Sequence, residues 1–517
     1  MSPILPLLLL AVPLAPLLAG LLARGRSPAL AGRLVVSAAG LSALLAAASV
    51  ALLIAGPASA AGFTARWAPF GSDAAFAFAL RLDAVSAAMV VLASFLGAIV
   101  LRFSRRYLAG DPAQARFFSW MSLTLALVLT LVLSGHLLLL LAAWVCTSLC
   151  LHRLLLHYPE RAGAVFSARK KFVVSRLGDL ALLGAALVLH HHHQTWDIEA
   201  LFAAVAAGRT EGLPLVGFLL AACAALKSAQ FPFHSWLPDT METPTPVSAF
   251  MHAGIINAGG FLLVRLSPLL VHSPAALHVL AVVGALTAAF GAIVMLAQPG
   301  VKRALAYSTI AQMGFMILQC GLGAWALALL HILAHSLYKA HAFLTAGSTI
   351  GAAPRAAIPL RTPALAIGVL GGALLVAGGA TLLHAALPGV GLQLGVFGLV
   401  LALALAYGLA RALSTRGGLP TLLRASAVAV LVCVVALALH AGAKAAFPQL
   451  PAHQPPLALV AAVGAIFAAL FLFQALLWRA GHHALGRRLY VHALNGFYLG
   501  TLANRLLGRL WPRQAFE

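Results

Sequence analysis

The chain has 517 residues, of which 62% are hydrophobic and 9% charged, and its mean hydropathy is +1.00. A soluble domain is roughly 25% charged, so this composition excludes a soluble enzyme, a disordered chain and a secreted disulfide scaffold. The charges are also lopsided, with 33 Lys and Arg against 11 Asp and Glu, a formal net charge of +22. In a soluble domain that balance would suggest nucleic acid. Here the basic residues are first explained as the flanks of membrane spans. Cys146, Cys150, Cys223, Cys320 and Cys433 sit singly in apolar runs, without Cys-x-x-Cys spacing, and read as small hydrophobes.

A helix that crosses the hydrocarbon needs about 20 mostly apolar residues. In chain order such runs fall near 4–23, 31–56, 82–101, 117–133, 135–156, 172–190, 213–231 and 244–268. They continue near 275–297, 303–323, 325–350, 362–385, 391–410, 425–447 and 456–478. The sequence therefore predicts an all-α polytopic membrane protein with about 15 transmembrane helices. The first run holds Pro6, Pro13 and Pro16 and has no basic segment before it, which favours a retained span over a cleaved signal.

Loops that follow odd-numbered spans are basic, as in Arg24 and Arg26, then Arg102, Arg105, Arg106 and Arg116, then Arg153 to Arg176. Loops after even-numbered spans hold only Arg66, Arg81, Arg209, Arg265 and Lys444. The positive-inside rule then predicts a multi-pass protein of the bacterial inner membrane with a periplasmic N-terminus. In the tail, Arg487, Arg488, Arg505, Arg509 and Arg513 interrupt a pattern of Leu, Tyr, Phe and Trp. It reads as a membrane-surface helix, with a sixteenth span as the alternative. The basic face would also suit an acidic cytoplasmic partner.

The acids fall in loops or near span ends, with Asp83, Asp179, Asp239 and Glu242 at or just inside the predicted ends. Lys170, Lys171, Lys302 and Lys444 flank spans, whereas Lys227 and Lys339 lie inside them. A bare charge at mid-membrane costs at least ~2.5–3.5 kcal/mol, so each needs a partner or a job unless it snorkels to an interface. The stretch from Lys227 to Leu262 is the most informative. Pro232 and Pro238 cannot sustain helical hydrogen bonding, while Pro244 and Pro246 restart a helix. The seventh span should thus be broken or end just after Lys227, a pattern that points to an ion site in transporters. His252 then falls inside the eighth span beside Asn257.

On the eleventh span His331, His335 and Lys339 recur every fourth residue and so share one helix face, with His341 off the stripe. The spacing could suit a metal, but no Glu or Cys joins it nearby and the lysine would repel a cation. A hydrated proton wire fits better, since neutral histidine both donates and accepts. Two core histidines bonded to backbone are the other reading. His190 to His193 point in different directions around a helix and read as low complexity rather than a metal site.

The segments RLDAVSAAM (81–89), SRLGDLALL (175–183), KSAQFPFHSWLPDTMETPTPVSAFMHAG (227–254), VKRALAYSTIAQMGFM (301–316) and HILAHSLYKAHAFLTAGS (331–348) resemble the antiporter-like L-type subunits of respiratory complex I and its relatives. The resemblance covers roughly residues 78–350 and implies two inverted five-helix repeats, each with a broken helix. It implies domains at 1–110 (N-terminal helices), 111–270 and 271–412 (the two repeats), 413–480 (C-terminal helices) and 481–517 (amphipathic tail). It also implies ion translocation through Lys227, His252, His331, His335 and Lys339, with the break at Pro232 and Pro238.

Two departures narrow the resemblance. Complex I subunits carry a glutamate after the tryptophan of the fifth span, whereas Val145 follows Trp144 here. Asp179, Asp239 and Glu242 are the candidate charge partners in its place. The twelfth span offers only His384, and the chain is expected to lack the long lateral helix of complex I. This combination, with FPFHSWLPDTMETPTPVSAFMHAGIINAGGFL and the set Trp144, Ser148, Leu149, Leu151 and His152, is similar to the DabB family of inorganic carbon transporter subunits. That likeness implies no enzyme activity and no cofactor in this chain. It implies an H⁺- or Na⁺-conducting subunit that drives CO₂ hydration in a DabA-like cytoplasmic partner containing zinc. The alternatives are a proton-pumping subunit of complex I, of a membrane-bound hydrogenase or of a multisubunit Na⁺/H⁺ antiporter, and a membrane scaffold without conduction.

Overall fold

The computed structural model describes residues 4–56, 62–67, 78–349, 362–386, 393–415, 418–480 and 484–510. Its N-terminal helices are α1 (Ile4–Leu22), α2 (Pro28–Ala55) and α3 (Ala84–Tyr107). Between α2 and α3, β1 (Phe63–Trp67) pairs antiparallel with β2 (Phe78–Leu82), Phe63 opposite Leu82 and Trp67 opposite Phe78. This hairpin departs from a purely helical expectation. Its strands lie outside the apolar runs, and Arg66 and Arg81 tie it to Asp197 and Glu199 at 2.7 and 2.8 Å. The helix α3 starts where Asp83 closes a capping box: its carboxylate accepts from the Ser86 amide, and its own amide donates to the Ser86 hydroxyl. Burial pulls the Asp83 carboxyl upward, but the guanidinium groups of Arg265 and Arg81 and the Ser86 amide hold it well below the usual carboxylate range.

The first half continues through α4 (Gln114–Leu133), α5 (Leu137–Leu155), α6 (Ala162–His193), α7 (Ile198–Ala206) and α8 (Leu213–Lys227). At 32 residues, α6 extends about 48 Å, well beyond the hydrocarbon thickness. Lys170 and Lys171 lie in its third turn and are buried against the rest of the protein. His190 to His193 form its last turn, and the His190 ring stacks on Trp196.

After α8 the chain is irregular, with short α9 (Trp236–Asp239) ahead of α10 (Thr245–Ala253), α11 (Ala258–Arg265) and α12 (Ser267–Leu270). A second interruption separates α10 from α11 at Gly254 and a turn of 3₁₀ helix over Ile255–Asn257. The apolar run of 244–268 carries no mark of it. The second half holds α13 (Pro274–Ala297), α14 (Val301–Gly321), α15 (Trp325–Leu344), α16 (Thr362–Ala386), α17 (Gln393–Ser414), α18 (Gly418–Ala446) and α19 (Leu457–Ala480). The helices α13 and α14 approach closely because Gly284 and Gly314 face each other's backbone. A Cβ on either would sit 2.4 Å from a main-chain nitrogen of the other helix, the small-residue contact that membrane helices use.

Among the described residues twelve helical segments are long and apolar enough to cross a membrane. The runs near 213–231, 303–323 and 362–385 are helical too, as α8, α14 and α16, but lie outside that set. The tail forms α20 (Ala484–Leu494) and α21 (Leu499–Leu510). Their 11 and 12 residues fall short of the about 20 that a crossing needs. They fold back on earlier elements: Gln298 donates to the Leu494 carbonyl at 3.1 Å, and Asn504 accepts from Lys170 at 2.7 Å.

Candidate functional site

Lys227 is the last residue of α8 and is only 6% exposed. Its helix ends because Ala229 takes a left-handed φ of 50° and Pro232 follows, conformations an α-helix cannot continue. The polar groups released by this end are partly re-engaged. Ser228 donates to the Ile256 carbonyl at 2.7 Å, and Gln230 donates to the Ser228 carbonyl at 2.7 Å. Such satisfaction is what permits irregular backbone at membrane depth. The Lys227 ammonium has no hydrogen-bond partner among the described residues and lies 4.4 Å from the centroid of the Trp144 ring on α5. A cation over an indole face is attracted to it, so Trp144 receives this lysine while Val145 offers no charge.

Beside Lys227 is a cavity of about 30 Å³ lined by Thr147, Phe250, Ala253, Gly254 and Ile255. That is room for about one water molecule. It opens on the interruption between α10 and α11, which joins the lysine to the rest of the site. Asn257, at that interruption, donates to the Ser336 hydroxyl on α15 at 2.8 Å. Ser336 lies next to His335 and one helical turn from Lys339.

His252 on α10 is fully buried, its ring stacked on Phe343 at 4.4 Å. Its Nδ1 is 2.9 Å from the Thr309 hydroxyl, which spends its own proton on the Leu305 carbonyl at 3.0 Å. Thr309 must therefore accept, which assigns the proton to Nδ1 and leaves Nε2 as a bare acceptor. Among the described residues that Nε2 has no partner. The Leu305 carbonyl also receives Lys339 Nζ at 3.1 Å. Lys339 and Thr309 thus converge on one backbone oxygen, and His252 is linked to it through Thr309. Farther along α15, His331 Nδ1 meets Gln319 Oε1 at 3.0 Å. An amide oxygen can only accept, so His331 also keeps a free Nε2. The His331 and His335 rings are 5.9 Å apart. The arrangement is a row of buried nitrogen bases, of which His252 and His331 are each oriented by a hydrogen bond at Nδ1 that leaves Nε2 to receive a proton.

The three acids take different places. Asp179 on α6 contacts Arg176 at 2.6 Å and lies within electrostatic reach of Lys227. Asp239 pairs instead with Lys170 at 2.8 Å, and Lys170 also donates to the Ser235 carbonyl. Glu242 is exposed and lies against Gly163. Pro232 and Pro238 sit on either side of the turn into α9, Pro238 inside that short helix. Thr309, Gln319 and Ser336 join the site although no sequence pattern marks them, and Lys171 is buried within electrostatic reach of Lys227. For Lys171 the available signal is that no Pro or Gly separates it from the residues of 164–170, which lets the helix begin early. Among the described residues no group of three or more His, Cys, Asp or Glu side chains could hold a metal ion.

Residues 134–389 match the family described as NADH:quinone oxidoreductase/Mrp antiporter, TM, and residues 67–118 match the N-terminus of complex I chain 5. The chain is similar to a probable inorganic carbon transporter subunit DabB2 of Halothiobacillus neapolitanus. The two are 38% identical over 455 residues, which cover 85% of this chain and 81% of that protein. A probable DabB of Hydrogenovibrio crunogenus is 44% identical over 269 residues, 52% of each chain, so there the match spans about half of the relative's length. Among solved structures, a chain of the Mrp complex from a Dietzia species superposes with a TM-score of 0.64 at 24% identity, over 99% of this chain and 60% of that one. That likeness concerns the fold alone.

Proposed function

Because the chain belongs to the DabB family of antiporter-like membrane subunits, we propose that it is the cation-translocating subunit of an inorganic carbon uptake complex. Cations pass through Lys227, His252, His335, His331 and Lys339, and their passage drives CO₂ hydration in a cytoplasmic DabA-like partner that holds the zinc. One observation carries this reading: Lys227 is buried without a hydrogen-bond partner among the described residues, at the end of an interrupted helix and beside a water-sized cavity. A charge kept there at a cost of at least ~2.5 kcal/mol makes sense if its loss and recovery are the work. Trp144 steadies the ammonium without neutralising it. From Lys227 the path runs past the interruption at Gly254 to His252, and then along α15.

The N-terminus lies in the periplasm of a bacterial inner membrane, and the basic loops with Lys170, Asp239 and the tail face the cytoplasmic partner. The test is inorganic carbon accumulation in cells producing the complex. Replacing Lys227 with Met should lower uptake by about 100-fold, the scale of losing one proton-transferring group, with the protein still present and still bound to its partner. Uptake at the wild-type rate in that variant would reduce the chain to a scaffold. The match to complex I chain 5 favours one second reading, a proton-pumping subunit of a quinone-reducing complex. Affinity purification separates the two: a zinc-containing soluble partner supports carbon uptake, and quinone-reductase subunits support the other.

A further inference from the structure

Lys171 is a buried charge for which the path described above has no use. It is 2% exposed, on α6, and its Nζ donates to the Ser148 hydroxyl at 2.7 Å and to the Ser148 carbonyl at 2.9 Å. An ammonium has three donors, and both acceptors come from one residue of α5. Among the described residues no carboxylate is bonded to it. Consecutive positions on a helix point about 100° apart, so Lys170 and Lys171 serve different sides of α6. Lys170 pairs with Asp239 and Asn504, whereas Lys171 turns inward to the α5 face that also carries Trp144.

The charged groups around Lys171 are few. Lys227 reaches it from α8, Arg176 and Asp179 from its own helix, and Cys150 from α5. Asp179 is engaged by Arg176 at 2.6 Å, which leaves two buried amines and no carboxylate bonded to either among the described residues. Ser148 lies one helical turn beyond Trp144, so one face of α5 holds both amines: the first by a π-system, the second by a hydroxyl and a carbonyl.

We propose that Lys171 is a second proton-carrying lysine of the first repeat, coupled to Lys227 by like-charge repulsion across α5. The proposal rests on the ion-translocation reading and deepens it by naming the ion. When neutral Lys227 takes a proton handed on from the His252 side, protonated Lys171 releases one toward the Lys170 end of α6, and transfer from Lys227 to Lys171 then resets the pair. The number of protons in the pair, and its charge, are then unchanged, and one H⁺ has advanced. In this arrangement a cation on α6 does what the absent carboxylate after Trp144 would do, with repulsion in place of attraction. A cluster of amines and a guanidinium with a single engaged carboxylate offers no oxygen cage for Na⁺, so the carried ion is H⁺.

The test uses full-length protein in cells producing the whole complex, with uptake of inorganic carbon as the readout. Lys171→Met removes the charge, and Lys171→Arg keeps it but cannot release a proton. Both should lower uptake about tenfold or more at unchanged protein level and partner binding, and uptake by the wild type should persist in Na⁺-free medium. Wild-type uptake in Lys171→Arg would make the residue a fixed charge and overturn the relay. Disappearance of the protein from the membrane in both variants would make it a packing residue and overturn the relay equally. Dependence on Na⁺ would overturn it too. Lys227→Met in parallel keeps the two readings apart: if it is inactive while both Lys171 variants are normal, only the present inference fails.

Discussion

Thr309 decides which nitrogen of His252 is free. Its hydroxyl has one proton, and the Leu305 carbonyl takes it, so the histidine must donate from Nδ1 and present Nε2 along the path. Valine at this position keeps the shape and removes the acceptor. A buried donor left unpaired costs about 1–3 kcal/mol, and the ring loses the contact that fixes its tautomer. Thr309→Val should therefore lower uptake several-fold and reduce the melting temperature of the purified protein, while Thr309→Ser should restore both. A valine variant with normal uptake would mean that the tautomer of His252 does not matter. The same geometry explains why Leu305, an apolar residue, belongs to the site. Its side chain contributes nothing there, but its carbonyl collects Thr309 and Lys339.

Elements are joined on the basic side by Asp111, in the loop between α3 and α4. Burial would raise its carboxyl, but hydrogen bonds from His157, the Ala113 amide and the Tyr158 hydroxyl hold it below the ordinary carboxylate range. A lowered folded value stabilises the fold above the unfolded value, and the contribution is lost as pH falls through the folded one. Asp111→Asn should accordingly melt at a lower temperature than wild type at neutral pH, and the difference should shrink as the buffer is acidified below the carboxylate range. A difference independent of pH would show that the carboxylate's charge plays no part. At this scale the sequence is readable where covalent chemistry dictates conformation. Pro232 and Pro238 announce the end of α8, and the fourfold spacing of His331, His335 and Lys339 places them on one face. The interruption at Gly254 is not readable, because an apolar count cannot see a single bent peptide. The burial of Lys170 and Lys171 is hidden by the same count, which stops at the charges although the helix does not.

Across the whole molecule the candidate path is assembled from α5, α6, α8, α10, α14 and α15, and none of these pairings has a sequence signature. Ser148 meeting Lys171 and Thr309 meeting His252 are products of packing, invisible until the helices are placed side by side. The tail is the farthest-reaching case. Asn504 on α21 completes the coordination of Lys170 beside Asp239, so Asn504→Ala should weaken the docking of α20 and α21. Limited proteolysis measures this: cleavage within residues 484–510 should be several-fold faster in the variant. Unchanged cleavage would mean that the Gln298 bond to Leu494 and the ring contact of Phe497 with Phe290 hold the tail unaided. The bond between Lys170 and Asn504 joins positions 334 residues apart. A ribosome adds about 5–20 residues each second, so a nascent chain already has both Lys170 and Asp239 for roughly 13–53 s before Asn504 exists. During biogenesis the pair of Lys170 and Asp239 stands without its third partner for that interval.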